Sequence, residues 1–213
     1  MKKTIKKGTL FIALSIGVPA ILFAIYFGYK RYMAPLPFFG ENYAIVSEDT
    51  DYRVPDYEFI NQDSLLITNN FTKGKVWVAN YFYTSCPSIC PKMMSGLYDV
   101  QEAFKGEEEL RLVSFTVDPE YDTPHILKDY AEVRGIDTNQ WQLVTGTKKD
   151  LYRFARTGLY IVATSGNGGT EDFIHSEKLV LIDQERHIRG YYDGTSKTDV
   201  AFLIDDIKRL LKN

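Results

Sequence analysis

The chain has 213 residues, 45% of them hydrophobic and 14% aromatic, enough for one ordinary folded core and unlike a disordered or collagen-type polymer. Its formal charge of −3 conceals an asymmetry: Lys2, Lys3, Lys6, Lys7, Lys30 and Arg31 precede every acidic residue, leaving 19 basic against 28 acidic groups, a net −9, for the rest. So acidic a domain is a poor ligand for nucleic acid or anionic lipid surfaces and a better one for cations or basic protein faces.

Thr9 to Tyr29 contains no charge and has about the ~20 residues that cross a bilayer. It exceeds the apolar core of a typical cleaved signal peptide, and no small-x-small cleavage site follows it before Lys30. Residues 1–33 therefore read as a cytoplasmic stub and an uncleaved transmembrane anchor. Lysines before the span outnumber the cations after it, which keeps the N-terminus inside and places the rest on the extracytoplasmic side. The Arg- and Ser-rich presequence of mitochondrial import is absent, so the expected location is a bacterial cytoplasmic membrane, crossed once. Residues 34–56, with prolines, acids and no helical or strand period, read as a tether, and the folded domain is expected over residues 57–213.

That domain opens with two short strands around Asn61-Gln62-Asp63, then a longer apolar, β-branched and aromatic run from Lys75 that suits a central strand. A helix from about Pro91 to Phe104, a strand over 110–117, a helix from Pro124 to Arg134 stopped by Gly135, a strand over 141–144 and a helix from Lys148 to about Arg156 follow. "KLVLID" and "HIRGYYDG" form a hairpin around Gln184-Glu185-Arg186, and apolar residues at helical spacing close the chain from Lys197. β-α-β followed by β-β-α is the thioredoxin plan, an open α/β sheet covered by helices. In that plan chemistry sits where the first central strand passes to its helix.

Cys86 and Cys90, the chain's two cysteines, lie at that junction in "TSCPSICPK". Pro91 suits the first position of a helix, whose N-terminus lowers a thiol pKa. Two thiolates one turn apart can close as a disulfide or grip a soft metal from two sides. A purely structural staple is disfavoured, because so small a loop removes little entropy from the unfolded chain. A metal site needs a further donor. His125 reads as a first-turn or surface residue of its helix and His187 as a surface strand residue beside a turn. His175 follows a Gly-rich stretch and directly precedes a strand, as on a loop at a sheet edge, and spacing alone leaves its role open.

Three segments, "YTSCPSICPKMM", "SFTVDPEYDTPHILKDYA" and "IHSEKLVLID", in that order after an N-terminal anchor, resemble the Sco/SenC family of membrane-anchored, thioredoxin-fold assembly factors of cytochrome c oxidase. The resemblance covers roughly Tyr57 to Leu211. It implies a copper site, Cu(I) or Cu(II), made by Cys86, Cys90 and His175. Where family members commonly have Asp before that His, this chain has Ile174, with Glu171 and Asp172 slightly upstream. Asp118 is expected near the cysteines and Asp122 at the helix start. The implied function is a copper metallochaperone, a delivery protein rather than an enzyme, serving the copper-centre subunit of the oxidase with an upstream copper donor and a thiol reductant as further partners. The alternative is a thiol-disulfide oxidoreductase in which Cys86 and Cys90 are the catalytic pair; a peroxide-reducing role fits the family pattern less well.

Overall fold

The computed structural model describes residues 15–23, 26, 29, 34–47, 52–161 and 176–212. Its contacts divide into two units, Met1–Leu36 and Pro37–Asn213. In the first, residues 15–23 are helical, and among the described residues no helix is long and apolar enough to cross a membrane. The span expected from Thr9 to Tyr29 lies partly outside those residues.

The second unit is built on a mixed sheet with strand order β2-β1-β9-β8-β5-β6-β7-β3-β4 among the described residues. Its strands are β1 (Phe38–Phe39), β2 (Ile45–Val46), β3 (Glu58–Asn61), β4 (Leu66–Thr68), β5 (Val76–Phe82), β6 (Leu110–Thr116), β7 (Trp141–Thr145), β8 (Lys178–Ile182) and β9 (Ile188–Asp193). Between them run the helices α1 (Ile89–Ala103), α2 (Pro124–Arg134), α3 (Lys148–Arg153) and, last, α4 (Lys197–Leu210). β5, β6 and β7 are parallel, whereas β8 pairs antiparallel with β5 and β9 with β8. The crossover helices carry the chain to one side of β5 and the hairpin lies on the other, so β5 is the strand at which the sheet's order reverses.

All seven β5 residues are buried. A strand covered on both faces needs a continuous apolar run rather than alternation, and "VWVANYF" supplies one. Its single polar residue is satisfied inside: Trp141 Nε1 donates to Ser114 Oγ at 2.8 Å, and Ser114 Oγ donates to Asn80 Oδ1 at 2.6 Å. On one face Tyr57, Phe59, Trp77, Tyr81, Phe115 and Phe154 form an aromatic cluster.

Local signals set several boundaries. Thr123 Oγ1 accepts from Ile126 N–H, Pro124 occupies the first turn of α2, and Gly135 ends it with a left-handed φ of 65°. α3 stops at Arg153, earlier than its periodicity predicts, and continues as a wide π turn over Phe154–Gly158. Gly158 permits that turn, since a Cβ there would stand 2.7 Å from the Phe154 ring. The lead-in also differs from the sequence expectation: it forms β1, a 3-10 turn over Glu41–Tyr43 and β2, with Phe39 in register with Ile188 of β9. Two-residue strands carry too little periodicity to be read alone; they exist because β9 offers an edge to pair with.

Candidate functional site

β5 ends at Phe82, and the chain turns through Tyr83–Ser88 into α1. Cys86 N–H donates to the Tyr83 carbonyl at 3.3 Å, closing the turn. α1 starts at Ile89, two residues before the sequence-predicted Pro91, so Cys90 lies in its first turn. Pro91 fits there because first-turn N–H groups have no intrahelical acceptor. One of these free donors is used: Cys90 N–H points at Cys86 Sγ, 3.4 Å away. Both cysteines are buried free thiols, 7% and 4% exposed.

The two sulfurs experience opposite environments. Burial opposes ionisation of Cys86, but the N–H groups of Ser88 and Cys90, the Cys90 thiol and the Tyr83 hydroxyl outweigh it and lower its pKa to about 6. Burial pushes the Cys90 thiol up to about 12; the Tyr83 N–H opposes this, while Cys86 and the charge of Asp122 add to it. At neutral pH the pair is therefore one thiolate and one thiol joined by hydrogen bonds.

Asp122 holds this loop from beneath. Expected only as a helix-start residue, it is fully buried, with its carboxylate accepting from Thr84 N–H at 3.2 Å, from the Thr84 hydroxyl, and from Thr116 Oγ1 at 2.5 Å. Thr84 is two residues before Cys86, so a carboxylate 36 residues downstream fixes the approach to the first sulfur. Burial raises the Asp122 pKa despite these donors. Asp118 is half-buried, donates its N–H to Thr116 Oγ1 at 2.9 Å, and its charge reaches Tyr83. Asp122 and Tyr83 are the site residues that sequence reasoning missed; Tyr83 heads the quoted cysteine segment but nothing in its spacing assigned it a role, and for Asp122 the helix-start pattern offered a sufficient explanation.

The histidines separate. His125 is exposed on α2 and pairs with Asp129 at 3.7 Å, as its first-turn position suggests. His187 corrects the surface expectation: it is only 4% exposed, its N–H donates to Asp183 Oδ1 at 2.8 Å, and its ring meets Phe38 edge-on at 5.2 Å. The β1 segment that buries it was read as a tether, so nothing in sequence marked it as covered. His175, with Glu171, Asp172 and Ile174, lies outside the described residues. Among the described residues no group of three or more His, Cys, Asp or Glu side chains is arranged to hold a metal. The donors present are two sulfurs, whose softness fits a soft monovalent ion such as Cu(I).

A parallel βαβ unit whose first strand delivers a buried dithiol to a helix N-terminus, completed by an antiparallel hairpin and helix, defines a thioredoxin-like domain. The SCO1/SenC family model matches residues 46–212, and the chain belongs to that family. A SCO1/SenC family lipoprotein from Bacillus anthracis str. Ames is 32% identical, with a TM-score of 0.67 over 78% of this chain and 99% of its own. BsSco, a member of the Sco family of cytochrome c oxidase assembly proteins in which a disulfide switch has been identified, is 29% identical, with a TM-score of 0.63 over 76% and 95%. ScoI of Bradyrhizobium japonicum, whose structure has copper bound, shares the fold at 20% identity, with a TM-score of 0.60 over 75% and 99%.

Proposed function

We propose that this protein is a copper metallochaperone of cytochrome c oxidase assembly, carrying copper as cargo on Cys86, Cys90 and His175 and passing it by ligand exchange to the copper-centre subunit of the oxidase. The observation that carries this reading is the pair of buried free sulfurs at the β5–α1 junction, with Cys90 N–H directed at Cys86 Sγ 3.4 Å away; the donors around Cys86 lower its pKa to about 6. A thiolate and a neighbouring thiol, with an imidazole from the segment before β8, form a set of soft and borderline donors suited to Cu(I). Residues 1–33 anchor the chain in the bacterial cytoplasmic membrane, and residues 57–213 work on the extracytoplasmic side.

The split acidity of the sulfurs supports a second reading as a thiol-disulfide oxidoreductase. The Cys86 thiolate attacks a disulfide of the partner and displaces one partner thiolate; Cys90, once deprotonated, attacks Cys86 sulfur and releases the other. Two electrons pass to the partner, now a dithiol, and a Cys86–Cys90 disulfide remains.

Titration of the reduced full-length chain in detergent with Cu(I), against a chromogenic chelator, tests the chaperone. Wild type should outcompete Cys86→Ser and Cys90→Ser by at least about a hundredfold and His175→Ala by about tenfold, roughly 1.4 kcal/mol per decade. Equal retention by all four proteins would remove this site. Reduction of an oxidised copper-centre fragment by copper-free wild type, but not by Cys86→Ser, would favour the second reading.

A further inference from the structure

A cleft of about 470 Å³ lies between α1 and α4 and begins at Pro91, the residue after Cys90. Its floor is nearly bare of side chains. Gly96 of α1 meets Gly194 of the β9–α4 turn so closely that a Cβ on Gly96 would stand 2.7 Å from the Gly194 carbonyl oxygen, and Val200 supplies the apolar remainder. The turn itself is pinned: Thr195 N–H and Oγ1 donate to Asp193 Oδ1 at 2.8 and 2.7 Å, and Gly194 N–H donates to the Glu177 carbonyl at 2.8 Å. Glycine lets another backbone approach closely, so the groove suits an extended chain.

Two lysines line this groove, Lys92 of α1 and Lys197 at the start of α4, and both are exposed. Among the described residues nine other lysines and arginines have a carboxylate within 4.0 Å, whereas these two have none. Asp99 is the acid that lines the cleft with them. Asp199, two residues beyond Lys197, spends its carboxylate on Asp193 N–H at 3.1 Å and the Ser196 hydroxyl at 3.3 Å. The fold does not ask for either lysine: each lies within the first four residues of its helix, where positive charge is locally unfavourable. Beyond Arg31 the chain carries 19 basic against 28 acidic groups, so two unpaired cations facing one groove beside the dithiol reverse the sign of the domain locally.

We infer that this groove docks an extended, carboxylate-bearing segment of the copper acceptor, its backbone along the glycine floor and its acids at Lys92 and Lys197. The inference rests on the chaperone reading and supplies the partner's side of it. Repulsion from the acidic remainder of the domain leaves such a segment few other places to settle, so the charge pattern sets register as well as rate. Because the groove begins at Pro91, a seated segment ends beside Cys90, where an acceptor ligand meets the cargo.

The test uses the Cu(I)-loaded full-length chain in detergent and two ligands: the reduced, metal-free copper-centre fragment of the oxidase, and a fluorescein-labelled peptide of alternating Gly and Asp. Lys92→Glu combined with Lys197→Glu reverses the charge, Ser95→Trp fills the groove without altering charge, and Lys73→Glu with Lys149→Glu makes the same charge change at exposed sites elsewhere. Charge reversal in the groove should slow association with the fragment by about ten- to thirtyfold at low salt, and the elsewhere pair by less than about threefold. Ser95→Trp should weaken the complex by roughly tenfold. Wild-type association should fall about fivefold between about 50 and about 300 mM KCl, a dependence that the groove reversal loses. The peptide should bind wild type and be lost from both groove variants. Cu(I) retention against a chromogenic chelator should stay within about twofold throughout, since every substituted residue is exposed. Equal slowing by the elsewhere pair, or wild-type loading of the fragment by both groove variants, would overturn the inference and leave the chaperone reading standing. If wild type binds the peptide through its lysines yet neither binds nor loads the fragment, the chaperone reading falls and the acceptor assignment with it.

Discussion

Cys86 and Cys90 share a turn, yet their protons are held very differently, because donors converge on one sulfur and burial dominates the other. Only the thiolate is a nucleophile, so alkylation of the copper-free, reduced protein should rise with pH through about 6 and then level off, one equivalent reacting. Cys90, pushed up to about 12, should stay silent across that range. Mass-spectrometric mapping after iodoacetamide pulses from pH 4 to 9 checks both; a midpoint near the ordinary thiol value of ~8.5 would contradict the donor arrangement. Tyr83→Phe removes one donor and should move the midpoint upward. Beneath them, Asp122→Ala would strand the Thr84 N–H and two hydroxyls, so unfolding stability should fall by about 3 kcal/mol, against about 1 kcal/mol for Thr116→Val, in urea titrations. Equal losses would mean that the carboxylate does not organise the loop. The cysteines were legible in sequence because their spacing is itself the signal. Tyr83 and Asp122 act through space, and a helix start such as "YDTPH" reads the same whether its Asp faces solvent or a buried threonine.

At the scale of elements, α1 must be set against α4 and the end of β9 closely enough to hold Cys90 in place. Gly96 makes this possible: a Cβ there would stand 2.7 Å from the Gly194 carbonyl oxygen and 2.8 Å from Val200 Cγ2. The first of these is backbone and cannot rotate away, so α1 would have to lift. Gly96→Ala should therefore destabilise the domain by about 2 kcal/mol despite the better helix propensity of Ala, and thermal unfolding should show it as a lower Tm. A neutral or raised Tm would mean that α1 has slack. The sequence revealed strong elements well, α2 with its Thr123 cap and Gly135 stop above all, since caps and periodicity are local. It failed at Pro37–Val46, where β1 and β2 depend on the free edge of β9, and for the same reason it misjudged His187. Gly96 carried no sequence signal either, because close approach involves a residue almost a hundred positions away.

For the whole molecule the decisive property is the separation of charge along the chain. Six cations and no acid occupy the first 31 residues, and a net −9 follows. Positive charge beside an apolar span favours the cytoplasmic face, and Lys2, Lys3, Lys6 and Lys7 outnumber Lys30 and Arg31 beyond it. On the proposed reading this anchor puts Cys86 and Cys90 on the outer side, where thiols are exposed to oxidation. Removing the four lysines should disturb this, because the remaining cations then lie on the wrong side of the span. In spheroplasts carrying a C-terminal tag, external protease should destroy nearly all of the wild-type tag, while the variant with Lys2, Lys3, Lys6 and Lys7 changed to Gln should leave a substantial protected fraction that becomes accessible on lysis. Protection of the wild-type tag would sink the proposed orientation. Full accessibility of the variant would show that the folded domain, rather than the flanking charge, decides which way the chain crosses.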